Sequence, residues 1–183
     1  MDVMTMVRSS GLITREERDA LPDDGRRHEL IDGMLIVTPS PGFPHQTVVG
    51  RLHLALQPVC PPELRVILGP FDVALAEDTV VVPDLVVASL SSFTPRDLPT
   101  SPLLAIEVLS PSTRRYDQTL KKARYAAAGC QAYLLVDPIE PSITAFELRD
   151  GDYVEVASSA GDDPCELVWP FPVTLVPAEL VRP

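Results

Sequence analysis

Two runs constrain this chain more than any other feature: Val80 to Ala88 and Leu103 to Leu109 are apolar on both faces, and each is broken by a single carboxylate. Strands without a polar face lie in the middle of a sheet covered on both sides, which points to an α/β domain. The carboxylates are Asp84, in Val82-Pro83-Asp84-Leu85-Val86, and Glu107, in Ala105-Ile106-Glu107-Val108-Leu109. A buried carboxylate without a partner is costly, so each needs a cation, a proton or hydrogen-bond donors, and one divalent metal could serve both. The plainer alternative is a local bond for Asp84 at the Pro-Asp bend and an arginine partner for Glu107.

The surrounding chain supplies the remaining layers. Thr14-Arg15-Glu16-Glu17 has the spacing of a capping box and opens a short helix that ends before Pro22. His28 to Ile31 and Met34 to Val37 flank Asp32-Gly33, which predicts an N-terminal β-hairpin, and Ile143 to Leu148 with Tyr153 to Val156 flank Asp150-Gly151, which predicts a second. Residues 45–57 carry Val48, Val49, Leu52, Leu54, Ala55 and Leu56 largely at helical spacing until Pro58 stops the run. Leu64 to Leu68, Phe71 to Leu75 and Ala132 to Val136 read as further strands. Ser89 to Pro102 reads as a loop bordering a cleft. Asp117 to Ala128 reads as a helix closed by Gly129, with Leu120, Ala123 and Ala127 facing inward.

Three more side chains are candidates for chemistry. Lys121 lies one turn into the helix after the strand of Glu107, and helical side chains lean back toward the N-terminus, so its ammonium could orient a water and offset developing negative charge. An exposed i, i+4 salt bridge with Asp117 accounts for the same residue without chemistry, and Lys122 is a substitute. Glu29, in the first hairpin, is either a third acidic group or an exposed strand glutamate. His45 could contact a phosphate or simply cap the helix that starts there.

The chain has 183 residues, enough for a single domain with a core of about 25–150 followed by a hairpin and a surface-wrapping tail over 151–183. With no stretch long and apolar enough for a membrane helix and no basic-then-apolar leader, a cytoplasmic protein without membrane partners is expected. Cys60, Cys130 and Cys165 are odd in number and lack Cys-x-x-Cys spacing, which argues against a disulfide framework or a zinc site. The formal net charge of −11 opposes phosphate binding unless the basic residues cluster. Arg26, Arg27, Arg51, Arg96, Arg114, Arg115, Lys121, Lys122 and Arg124 lie near the site elements, while beyond residue 150 the only basic residue is Arg182, so a basic rim and an acidic far side are predicted.

Taken in order, His28-Glu29-Leu30-Ile31-Asp32-Gly33, Pro39-Ser40-Pro41 with His45-Gln46, Pro83-Asp84, Glu107-Val108-Leu109-Ser110-Pro111-Ser112-Thr113, Asp117 to Lys121 to Tyr125, and Tyr133 to Pro138 resemble the Uma2 family of the PD-(D/E)XK restriction-endonuclease-like superfamily. The resemblance spans roughly residues 25–150, and Glu-Val-Leu-Ser-Pro-Ser-Thr is its most specific element. It implies a central mixed β-sheet flanked by helices, Asp84 and Glu107 as ligands of Mg²⁺ or Mn²⁺, Lys121 as the lysine and Glu29 completing the site. The commoner superfamily pattern places the lysine two residues after the acid, where this chain has Leu109; the resemblance moves it to the next helix.

The expected activity is metal-dependent hydrolysis of phosphodiester bonds in DNA, with Asp84, Glu107, Lys121 and Glu29 catalytic and with His45 and Arg114 touching substrate. A homodimer would bring two sites to two strands. The alternative is a non-catalytic protein- or nucleic-acid-binding module that keeps the nuclease fold.

Overall fold

The computed structural model describes residues 4–6, 11–22 and 24–182. In chain order it runs β1 (Met4–Met6), α1 (Arg15–Asp19), β2 (Arg27–Ile31), β3 (Met34–Thr38), α2 (Phe43–Leu56), β4 (Leu64–Leu68), β5 (Asp72–Ala76), β6 (Thr79–Val81), β7 (Leu85–Ser89), β8 (Asp97–Leu98) and β9 (Leu104–Val108). A long helix follows, made of α3 (Arg114–Tyr116), a wide π-helical turn (Asp117–Lys121) and α4 (Lys122–Ala127). Then come β10 (Ala132–Asp137), β11 (Ser142–Arg149), β12 (Asp152–Ala160), β13 (Cys165–Leu167), β14 (Val173–Leu175) and α5 (Pro177–Val181).

Local chemistry sets many of these boundaries. Thr14 caps α1 by accepting from the Glu17 N–H while the Glu17 carboxylate accepts from the Thr14 N–H, the reciprocal pair that the spacing predicts. Both predicted hairpins form. Asp32 and Gly33 take φ of 53° and 71°, and Asp150 and Gly151 take 53° and 90°, the left-handed pairs of tight hairpin turns. Pro58 marks the end of α2 as expected.

β13 and β14 pair with each other as an antiparallel two-stranded sheet, and the other twelve strands build two six-stranded mixed sheets. One has the order β1-β3-β2-β6-β5-β8, the other β12-β11-β10-β9-β7-β4. In the second, β9 and β10 are parallel and the other neighbours antiparallel. The even-numbered residues of β9, with Leu85 and Val87 of β7, face Val48, Val49, Leu52 and Leu56 of α2. The opposite face carries Val86, Ala105, Tyr133 and Leu135 and packs against Ile31, Ile36, Val73 and Val81 of the first sheet and Tyr125 of α4. The second sheet is therefore the covered middle layer that the doubly apolar runs demand.

Three expectations need correction. The run from Val80 to Ala88 is not one strand: β6 belongs to the first sheet and β7 to the second, and Val82, Pro83 and Asp84 carry the chain across. Proline has no N–H for a ladder, so Pro83 ends the pairing. Gly69 fits against this crossing. Its N–H donates to the Asp84 carbonyl at 2.8 Å, and a Cβ at Gly69 would stand 2.4 Å from the Pro83 carbonyl oxygen. The second correction concerns 89–102, which is more than loop because Asp97–Leu98 pairs in parallel with β5. The third concerns the tail: beyond residue 160 the chain does not only wrap the surface, since Leu167, Phe171, Leu175 and Leu180 enter the core beneath α2.

A carboxylate cluster at the junction of the two sheets

The crossing from β6 to β7 places Asp84 where both sheets meet the start of the long helix. In β9 the side chains of 104, 106 and 108 point to α2, so Glu107 points the other way, toward the first sheet and the helix. The β7–β9 register, Leu85 against Ile106, brings Asp84 beside Glu107 at its next step. In β2, alternation puts Arg27 and Glu29 on the face of Ile31, which packs toward the second sheet. Glu29, Asp84, Glu107 and Lys121 are each less than 5% exposed, and His45 is 8% exposed. All of them, with Arg27, Asp117, Ser110, Ser112 and Thr113, line one cleft of about 180 Å³.

Lys121 is the hub. Its Nζ lies 2.6 Å from Glu107 Oε1, 3.0 Å from Glu29 Oε1 and 3.7 Å from Asp117 Oδ1. Burial alone would lower its pKa, but Glu107, Glu29 and Asp117 outweigh burial and push it up, so the ammonium stays charged. Glu29 Oε1 also accepts from the Val82 N–H at 2.7 Å, tying the first hairpin to the crossing. Tyr125 donates to Glu107 Oε1 at 3.4 Å.

Asp84 is held from three directions. Its Oδ1 accepts from both terminal nitrogens of Arg27 at 3.1 Å, and its Oδ2 accepts from the Val108 N–H at 2.8 Å and faces His45 Nε2 at 3.1 Å. Burial pushes its pKa up, yet the bond to His45 and the charges of Arg27, His45 and Lys121 hold it below the usual carboxylate value. A carboxylate accepts and cannot donate, so Nε2 carries the hydrogen of this bond, and the buried Nδ1 of His45 has no hydrogen-bond partner among the described residues.

The two other acids behave differently. Burial drives Glu107 well above its ordinary value; Lys121 opposes this, and the charges of Asp117, Asp84 and Glu29 reinforce it. Asp117 is raised to about 6, chiefly by burial, with Lys121 and a hydrogen bond to Thr113 pulling the other way. Four carboxylates face two permanent cations, Arg27 and Lys121, in this cleft, which leaves a formal deficit of two positive charges. Protons on Glu107 and Asp117 meet that deficit at low pH, and a divalent cation would meet it at neutral pH. Carboxylate oxygens suit Mg²⁺ or Mn²⁺. Among the described residues no three His, Cys, Asp or Glu side chains already converge as a cage for an ion. The N–H donors of Lys121, Arg27 and His45 stand on the oxygens that such a cage would use.

The residues singled out in the sequence are thus sorted by the structure. It brings Asp84, Glu107, Lys121, Glu29 and His45 together. Glu29 is buried rather than an exposed strand residue, and Glu107 pairs with a lysine rather than an arginine. The side chain of His45 turns to Asp84, and the α2 N-cap, Gly42, has no side-chain cap. Arg114 does not line the cleft; it pairs with Asp137 at 2.7 Å. Lys122 lies over the Phe146 ring, 3.3 Å from its centroid, and leaves the site to Lys121.

Of the expected inward stripe, Leu120 is half-buried against the core, whereas Ala123 and Ala127 are exposed; the buried positions of the helix are Asp117, Lys121 and Tyr125. The pair Asp117 and Lys121 is consequently no surface salt bridge. Arg27 and Asp117 are site residues that the sequence reading did not assign. The spacing of Arg27 two residues before Glu29 was the available signal for the first.

Part of the expected basic rim is already paired. Arg96 pairs with Asp19 at 2.5 Å, Arg124 with Asp32 at 2.8 Å and Arg114 with Asp137, so each of these guanidinium groups already faces a carboxylate.

Comparison with known proteins agrees with this architecture. The model of the Uma2 family, described as "Putative restriction endonuclease", matches residues 15–176. Among solved structures, one from Anabaena variabilis ATCC 29413, described as "a putative nuclease belonging to DUF820", superposes with a TM-score of 0.71 at 22% identity, covering 92% of this chain and 97% of that one. At that identity the likeness concerns the fold. No curated protein matches the chain.

Proposed function

This chain belongs to the Uma2 family, and from that premise we propose that it is a metal-dependent endonuclease that hydrolyses phosphodiester bonds in DNA. The observation that carries the reading is the cluster of four buried carboxylates around one ammonium and one guanidinium in a single cleft. Asp84 and Glu107 are the ligands for Mg²⁺ or Mn²⁺, which when bound supplies Lewis-acid polarisation of a phosphoryl oxygen.

The protein's own groups do the positioning. Lys121 remains an ammonium, so it cannot act as a base; it donates hydrogen bonds to lone pairs, and the attacking water or a phosphoryl oxygen is what the cleft would offer it. Glu29 holds that ammonium at 3.0 Å while anchoring the crossing through Val82, so it fixes the distance between Lys121 and Asp84. Arg27 keeps Asp84 ionised and oriented. His45, on the cleft wall, is proposed to meet substrate there. A second copy would be needed for cutting both strands of a duplex at once.

The test is Mn²⁺ binding by calorimetry together with cleavage of plasmid and single-stranded DNA. Asp84→Ala and Glu107→Ala should each abolish cleavage, and the double variant should lose metal binding. If wild type binds Mn²⁺ no better than the double variant, the reading fails, and the module that keeps this fold only for binding is what remains.

A further inference from the structure

The long helix is regular on either side of the π-helical turn Asp117–Lys121, and that turn lies directly over Tyr133 of β10. In an α-helix, residues four apart drift by about 40° around the axis, so Asp117, Lys121 and Tyr125 would spread over about 80°. The extra residue of the wide turn takes that rotation back. Asp117, Lys121 and Tyr125 are 3%, 2% and 0% exposed, whereas Gln118 and Thr119 inside the turn and Ala123 beyond it face solvent.

A wide turn replaces i→i+4 bonds with longer ones and needs an external partner to be preferred over the α-helix. The structure provides one: the Tyr133 hydroxyl donates to the Asp117 carbonyl oxygen at 2.8 Å. Tyr133 is fully buried, its ring packed between Tyr125 and Tyr153 with centroids 5.3 and 5.7 Å away, so the hydroxyl has nowhere else to go. A buried hydroxyl and a buried carbonyl left apart would each cost about 1–3 kcal/mol.

We infer that Tyr133 is a positioning residue: its hydroxyl, by holding the Asp117 carbonyl, maintains the wide turn that sets the Lys121 ammonium on Glu29 and Glu107. The consequence for turnover rests on the role proposed for Lys121, whereas the consequence for its position does not.

The experiment reads the lysine directly. In ¹⁵N NMR of lysine side chains, wild type should show one slowly exchanging, shifted ammonium signal that Lys121→Met removes and so assigns. Tyr133→Phe keeps the ring and removes only the hydroxyl; the slow signal should be lost while the far-ultraviolet circular dichroism stays that of wild type. Deletion of Thr119, an exposed residue of the turn, should do the same with the tyrosine intact by shortening the turn to an α-helix. Where cleavage is measured, kcat of Tyr133→Phe should fall about 100-fold with KM unchanged. A slow ammonium signal that survives unaltered in either variant, or that wild type lacks, overturns the inference whether or not the protein cuts DNA.

Discussion

Replacing Asp117 with asparagine should make this protein more stable at neutral pH, and the size of the gain follows from the cluster. The Asp117 carboxyl is 3% exposed. Its pKa rises from an ordinary 3.8 to about 6, with burial the largest cause. Because the folded value lies above the unfolded one, the folded state binds more protons between these limits, and stability falls as pH climbs through that window. At about two units and 1.36 kcal/mol per unit, the penalty is about 3 kcal/mol once pH exceeds about 6. Asparagine cannot ionise and keeps an oxygen for Thr113, while Lys121 retains Glu107 at 2.6 Å and Glu29 at 3.0 Å. Asp117→Asn should therefore gain up to about 3 kcal/mol at pH 7, a rise in Tm of about 6–12 °C for a domain of this size. The gain should vanish below pH 4, where neither side chain is charged. Urea melts between pH 3.5 and 8 would measure it. Mn²⁺ should narrow the gap, since a divalent cation neutralises the same excess of charge. A variant less stable than wild type at pH 7, or a difference that does not change with pH, would refute the reasoning.

Two further outcomes are expected. Gly69→Ala places a Cβ 2.4 Å from the Pro83 carbonyl oxygen, so the crossing must shift; a loss of about 1–3 kcal/mol in denaturant melts should come with weaker Mn²⁺ binding, because the displaced segment carries Asp84. DNA binding, followed by fluorescence anisotropy against salt, should depend on ionic strength less than the outer arginines would allow: Arg26, Arg51, Arg96, Arg114, Arg115 and Arg124 together would give a log–log slope of about −5 at about −0.9 per phosphate contact, and the pairing of Arg96, Arg114 and Arg124 with carboxylates should hold it nearer about −3.

Much of this architecture was legible because local chemistry and tertiary structure agree. Asp32-Gly33 and Asp150-Gly151 specify turns that only a few residue pairs can form, Thr14 and Glu17 specify a helix start, and β9 with β10 can be buried on both faces only inside a layered fold. The unread parts share a different cause. Val80 to Ala88 looks the same whether it serves one sheet or two, and only Pro83 hints at the exchange. The inward face of the long helix was sought among Leu120, Ala123 and Ala127 because periodicity arguments assume an apolar interior. Here the interior is polar, and the wide turn shifts the period at that point. Arg27 reads as part of a rim because its charge suggests a surface, although its spacing from Glu29 and Ile31 gives it their face of β2.

The geometry also bears on how tightly the proposed ion would be held. Two N–H donors stand on each oxygen of Asp84, which fills the roughly four lone-pair positions of a carboxylate. Both contacts to Glu107 among the described residues, from Lys121 and Tyr125, fall on Oε1. An incoming cation therefore does not enter an open cage: it must displace part of this network, and its net affinity is the difference between two competing sets of bonds. Glu107 is the easier ligand to recruit, because its second oxygen is not committed to either donor. At Asp84, where the Val108 N–H belongs to the backbone of β9, one of two side-chain partners must yield. Arg27 is also tied to the Val82 carbonyl at 3.1 Å, whereas the bond from Nε2 to Asp84 is the one hydrogen bond of the His45 ring among the described residues and Nδ1 has none. The histidine has less to lose by turning. Opening at His45, rather than at Arg27, is the less costly way for this cluster to exchange its own donors for a metal.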